Sequence, residues 1–411
     1  MNILYFVSGL SNRLITFIAM LVFARILDPE NFGRYSVIIG NALFLQVIVG
    51  SWISAGSSRE FAVSPRTQWP SLLRGIMISI VGVATLLLAT ALVLGGAKLV
   101  PADLDIALAV ALLTISLIIF ETAQAIQNAL EKPAGFAATA VTRGILLLSL
   151  GGTVAYLTHS VIAIVVAQML ANLAPIAFAA FKKRSHFKGL QLRGAHRHAK
   201  QLTRSGMDGT LMFGYYIVLM AVTKNILAVK YGVALSGSLG LIIDFFFAPL
   251  ALLSNSVSLS FLPRLYQNGV DGATGIHLRS LPAKFIGLHI LLAIVYFVGT
   301  NIVIGFIAPP LLPRETGALA VVESGQFSLF AIGIMMMFAV LTILLTSRMT
   351  AGLRSIFALG VVAHSAALFW SSSKGHTIPD LLRTISIVQI SASMIGIAYL
   401  AVLAVRHRPV L

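Results

Sequence analysis

A few ionisable residues lie inside runs that otherwise read as oil, and they are where chemistry is expected first. Arg13 stands in the middle of "SGLSNRLITF", beside Asn12. A charge at the centre of a bilayer costs about 2.5–3.5 kcal/mol on insertion scales unless it faces a cavity or a partner. Its guanidinium matches the paired oxygens of a phosphate, which makes Arg13 and Asn12 candidate ligand contacts. The alternative is a structural pair with an acid such as Asp244. Lys224, in "LMAVTKNILAV", either attracts an anion as a flexible point charge or snorkels to the interface. Asp244, in "GLIIDFFFAPL", either takes up a proton or a sodium ion or neutralises Arg13 or Lys224. In "FETAQAIQNAL", the i, i+3, i+7 spacing sets Glu121, Gln124 and Asn128 on one helical face. That stripe lines a wet cavity, with Gln124 as a ligand contact and Glu121 as an ion carrier, or it hydrogen-bonds a neighbouring helix.

Other motifs carry less. Asp103 and Asp105 form a DxD, but they follow Pro101 at the predicted start of a helix, where acids complement the dipole. His186, His196 and His198 sit in a basic loop without acids, a poor metal site. The Met335–Met337 run reads as packing. There is no Ser-His-Asp set, no phosphate-binding glycine loop and no metalloprotease helix in the pattern. With no cysteine in the chain, thiol chemistry and disulfides are excluded. No metal or cofactor is expected.

What must position these residues follows from composition. The 411 residues are 58% hydrophobic and only 10% charged, with mean hydropathy +0.95. A soluble domain carries about 25% charged residues; this chain cannot make a polar skin. Runs of roughly 20 apolar residues recur from end to end. They predict an all-α integral membrane protein of about twelve spans, since the runs are too long and uniform for barrel strands. The expected spans are 3–24, 35–57, 72–97, 104–128, 137–158 and 160–181, then 206–229, 233–261, 284–308, 319–346, 351–371 and 382–405.

The net charge of +16 is read through topology rather than nucleic acid. Its densest part, "KKRSHFKGLQLRGAHRHAKQLTR", has eight Lys or Arg and no acid. Phe187 is its one aromatic, too few for interleaved stacking on bases, so it marks a cytoplasmic loop that also meets anionic headgroups. With an even number of spans before it, both termini are expected in the cytoplasm. The loop divides the chain into an N-terminal bundle (1–181), a basic linker (182–205) and a C-terminal bundle (206–411). Shifting the sequence by 204 residues lays Ala24 on Ala228, Gly33 on Gly237, Ile38–Ile39 on Ile242–Ile243 and Ser54 on Ser258. Two sets of six spans imply a parallel repeat with substrate between the halves.

The corner "FARILDPENFGRYS" ends the first span. Asp28 is a good N-cap and Pro29 a good first helical residue. Arg25 and Arg34 are expected to reach headgroups, with Phe32 and Tyr35 anchored at the interface.

From this corner to "GSWISAGSSREFA" the sequence resembles the start of Wzx-type polysaccharide flippases. The resemblance rests on Ala24, Arg25, Leu27, Pro29, Glu30, Phe32, Gly33 and Tyr35, then Gly56 and Arg59, with "LSFLPRL" as a weaker echo of a closing Leu-Pro. The second-half counterpart of the corner, "AVKYGVALSGSLG", has lost the Pro-Glu and the aromatic. The resemblance implies two six-helix bundles in the V shape of the multidrug and toxin extruders. It further implies movement of a polyprenyl-diphosphate-linked oligosaccharide from the inner to the outer leaflet of a bacterial plasma membrane, for surface polysaccharide. Alternating access through a cationic cavity suits Arg13, Lys224 and Arg59. A proton or sodium ion is the expected coupling ion, and a polymerase or glycosyltransferases are the expected protein partners. The competing expectation is an ion-coupled multidrug exporter. A glycan-processing enzyme is disfavoured, because every expected outer loop is short.

Overall fold

The computed structural model describes residues 3–96, 104–130, 132–182, 195–270, 280–346, 350–375 and 377–406, and every element among them is helical. The chain divides into two compact units, residues 2–210 and 211–411.

The first unit opens with α1 (Ile3–Ile26) and turns at once into α2 (Pro29–Leu45). A π-helical turn (Gln46–Gly50) joins α2 to α3 (Ser51–Val63), and a short 3-10 turn (Arg66–Gln68) leads into α4 (Trp69–Gly96). After α5 (Leu104–Ala129) comes α6 (Pro133–Leu146), which a second π-helical turn (Leu147–Gly151) joins to α7 (Gly152–Thr158). α8 (Val161–Lys182) and the first part of α9 (Ala195–Tyr231) complete the unit. The second unit takes the rest of α9, then α10 (Val233–Val270), α11 (Ser280–Leu311), α12 (Arg314–Val322), α13 (Ser324–Thr346), α14 (Thr350–Ser373) and α15 (Ile378–Arg406).

Ten stretches among the described residues are long and apolar enough to cross a membrane. The two other expected spans, 3–24 and 206–229, are helical as well, within α1 and α9. The expected span 319–346 is corrected: the helix breaks at Glu323, between α12 and α13. Each unit wraps one central helix. α2, α3, α4 and α8 pack on α5, while α10, α11 and α15 pack on α13. Burial shows the difference in duty: α13 buries 78% of its apolar window, whereas the window Pro282–Leu311 in α11 buries 17% and shows its side chains outward. Such outward apolar faces need a lipid solvent.

The corner after α1 is built as its residues dictate. Asp28 Oδ1 accepts from the Asn31 backbone N–H at 2.9 Å, and Pro29 opens α2. Arg34 pairs with Glu30 at 2.7 Å across one exposed turn. Phe32 and Tyr35 do not anchor at an interface; both are buried, and Tyr35 meets Phe23 edge-on at 5.4 Å. Tyr35 packs on Phe23 and Phe32 and donates its hydroxyl to Gln168, so this face of α2 meets protein. The Asn31 N–H bond holds the Asp28 carboxyl below its ordinary value of 3.8. Its capping contribution is therefore complete above pH 3.8 and is lost as pH falls through the lower, folded value. Asp28→Ala is expected to cost about 0.5–2 kcal/mol. The Tm difference from wild type should be steady at neutral pH and shrink in acid.

The expected linker is partly a packed helix. Residues 195–205 belong to α9, and Leu202 is fully buried in the core of the first unit with Ile53, Phe61, Leu72 and Ile118. Residues 183–194 lie outside the described residues.

Candidate functional site

Among the described residues, each unit holds one buried Lys or Arg with polar company. In the first unit it is Arg143 on α6, only 9% exposed. Its Nε donates to Asn172 Oδ1 on α8 at 2.6 Å, and Asn172 Nδ2 donates to Ser116 Oγ on α5 at 2.9 Å. The guanidinium carbon stands 4.6 Å from the centroid of the Phe120 ring, a cation–π contact in a place shielded from water. Glu121, next along α5, and Tyr35 on α2 are close enough to interact with its charge. The Tyr35 hydroxyl itself donates to Gln168 Oε1 at 3.0 Å. Among the described residues Asn172 is the only hydrogen-bond partner of the guanidinium, so its terminal nitrogens keep their donors for something else. Five donors in a planar fork are made for a paired oxyanion.

Sequence reading passed over Arg143, although the signal was present. It lies within the expected span 137–158, and the test applied to Arg13 would have found it. The side chains of Asn12 and Arg13 lie outside the described residues. Their helix is placed: α1 packs on α6, with Ile15 against Gly144. The polar stripe on α5 splits. Gln124 is buried and donates to Thr139 Oγ1 on α6, whereas Glu121 and Asn128 are exposed. Arg59, near the end of α3, is exposed.

In the second unit the buried cation is Lys224 on α9, 5% exposed. It does not snorkel. Its Nζ lies 3.4 Å from Asp244 Oδ2 on α10, and the Tyr216 hydroxyl donates to Asp244 Oδ1. Tyr216 is held in turn by stacking on Phe247. The Lys224 carbonyl accepts from Ser236 Oγ at 2.7 Å. Of the two partners foreseen for Asp244, the structure shows Lys224. Further along the same unit, buried His364 Nε2 meets Thr223 Oγ1 at 2.8 Å, and the Tyr215 hydroxyl donates to Gln389 Oε1 at 2.9 Å. These contacts tie α9 to α14 and α15.

A multi-pass helical protein with buried basic groups is the class this geometry defines, and solved structures share its fold. A MOP superfamily transporter from Pyrococcus furiosus matches at 12% identity and TM-score 0.69, over 98% of this chain and 94% of that one. An inward-facing multidrug-resistance MATE transporter matches at 11% identity and TM-score 0.68, over 96% and 95%. The outward-facing form of such a transporter gives 14% and 0.68, over 98% and 94%. No curated protein matches the chain. Residues 2–265 match the family described as polysaccharide biosynthesis protein, and the chain belongs to that family.

Proposed function

We propose that the protein is a flippase that moves polyprenyl-diphosphate-linked oligosaccharide from the inner to the outer leaflet of a bacterial plasma membrane, with both termini cytoplasmic. The observation that carries this reading is Arg143. A guanidinium buried inside a span, with its terminal donors uncommitted among the described residues, suits a diphosphate better than a cationic drug. Membership of a polysaccharide biosynthesis family supports the glycan half of the substrate. Arg13 and Asn12 lie on α1, which packs on the helix of Arg143, and serve as the adjoining phosphate contacts. Lys224 is the second unit's substrate-facing cation, buried among the described residues. Asp244 takes the coupling proton or sodium ion when the Lys224 pair loosens, and Glu121 plays the same part beside Arg143.

Vesicles containing the purified protein should move a labelled polyprenyl-diphosphate oligosaccharide between leaflets, and Arg13→Ala should abolish that movement while the protein stays folded. Charged sugar-lipid substrate that remains in one leaflet, together with resistance to cationic drugs on overexpression, would overturn the reading in favour of an exporter.

A further inference from the structure

The beginning of α9 crosses the first unit at unusually short range. At Gly75, on α4, an added Cβ would lie 2.8 Å from His198 Cβ and 3.1 Å from the Ala199 backbone nitrogen. At Gly56, on α3, an added Cβ would stand 2.4 Å from the Leu202 carbonyl oxygen. The backbones therefore touch, and the polar side chains beside the crossing have little freedom to find water.

Two of them find no partner. Arg74 Nε, next to Gly75, and His198 Nδ1, opposite it, are both closed off from solvent and make no hydrogen bond among the described residues. A buried polar atom left in that state costs about 1–3 kcal/mol; both side chains are only half-buried as wholes, so a ligand that draws them outward onto its own acceptor removes that cost. The nearby acid is already engaged: buried Glu60 accepts from Gln201 Nε2 at 2.5 Å. Around the crossing, Arg59, Arg197 and Lys200 are exposed. The balance of charge is strongly positive.

A second feature says what kind of anion fits. From Gly75 onward α4 presents Met77, Ile78 and Val81 outward, at 53%, 38% and 63% exposure. At i+3, i+4 and i+7 from Arg74, these apolar side chains share its helical face. Basic pockets between spanning helices, open to the hydrocarbon, suit phospholipid headgroups.

We infer that the crossing of α4 with the start of α9 is a binding site for an anionic phospholipid, whose phosphodiester accepts from Arg74 and His198 and whose acyl chains lie along Met77, Ile78 and Val81. The ligand pins the α9 start to the first unit. This site is separate from Arg143 and does not depend on which substrate is moved.

The full-length protein, purified in detergent, is titrated with phosphatidylglycerol, phosphatidylcholine or inorganic phosphate, with bound lipid read by native mass spectrometry and stability by Tm. Phosphatidylglycerol should bind and raise Tm, and phosphatidylcholine should do so far less. Arg74→Gln should weaken phosphatidylglycerol binding by about tenfold or more, and His198→Ala should weaken it less. Arg197→Gln with Lys200→Gln should leave most of it. Size-exclusion profiles check that each variant is folded, and His198→Ala carries the test if Arg74→Gln is not. Equal binding of the two lipids would overturn the inference, as would wild-type binding by both Arg74→Gln and His198→Ala. If inorganic phosphate alone gives the same Tm rise, the site takes a free anion and the lipid assignment falls.

Discussion

Arg143→Ala is expected to lower the rate of lipid-linked oligosaccharide movement roughly 10- to 100-fold, with little change in stability. The loss follows from removing hydrogen bonds to a charged phosphate, each worth about 1.5–3 kcal/mol. Stability should hold because two effects oppose each other. Alanine leaves Asn172 Oδ1 without its donor, but it also removes a cation from a place where burying one is expensive. Arg143→Lys separates charge from shape. Lysine keeps the charge but not the planar fork, so it should restore part of the rate at most. Asn172→Ala is the control for positioning: it frees the guanidinium without deleting it, and should weaken transport less than Arg143→Ala. Vesicle assays with a fluorescent lipid-linked oligosaccharide, quenched from outside, give these rates. A wild-type rate in Arg143→Ala would remove the residue from the transport path and leave it a structural tie between α5, α6 and α8.

The second large effect is on folding. Among the described residues, Lys224→Met leaves Asp244 with only Tyr216 for company, and Asp244→Leu leaves a cation that is 6% exposed with no counter-charge. Breaking a buried pair from one side costs about 3–5 kcal/mol. Asp244 is 20% exposed, so the penalty for Lys224→Met should fall at or below the lower end of that range, and Asp244→Leu should be the worse of the two. Replacing both removes two desolvation costs together. The double variant is therefore expected to be more stable than either single variant, within about 1–2 kcal/mol of wild type. If the pair also carries the coupling ion, the double variant should be stable yet insensitive to an imposed pH or sodium gradient. Melting curves of detergent-purified protein test the first statement, and gradient-driven vesicle assays the second.

The corner at Asp28 and Pro29 was readable because capping is local: these two adjacent residues fix the cap and the first helical position. Spans were readable because lipid demands long apolar helices whatever the fold. Inward and outward faces were not. Phe32 and Tyr35 look like interface anchors in isolation; the approach of Phe23 and Gln168 makes Tyr35 a core residue, and Phe32 packs beside it. The stripe on α5 failed similarly, since periodicity groups Glu121 with Gln124 but cannot say that Thr139 will draw just one of them inward. The pairing of Lys224 with Asp244 was one of several combinations that charge alone allowed. Arg143 was within reach of the same rule that picked out Arg13.

The two π-helical turns have a bearing on how this chain tolerates change in length. Each sits inside a span and ends on a glycine, Gly50 facing Ile118 and Gly151 facing Phe23. A π turn holds one residue more than an α turn does, and one residue is about 100° of helical rotation. An insertion or deletion elsewhere in a span would swing everything beyond it between lipid and core. Here the surplus residue is already stored, and the downstream halves, α3 and α7, take their phase from it. The two turns therefore act as fixed phase shifters. Homologous sequences aligned through Gln46–Gly50 or Leu147–Gly151 should show their gaps there, where losing one residue converts π to α instead of breaking the helix.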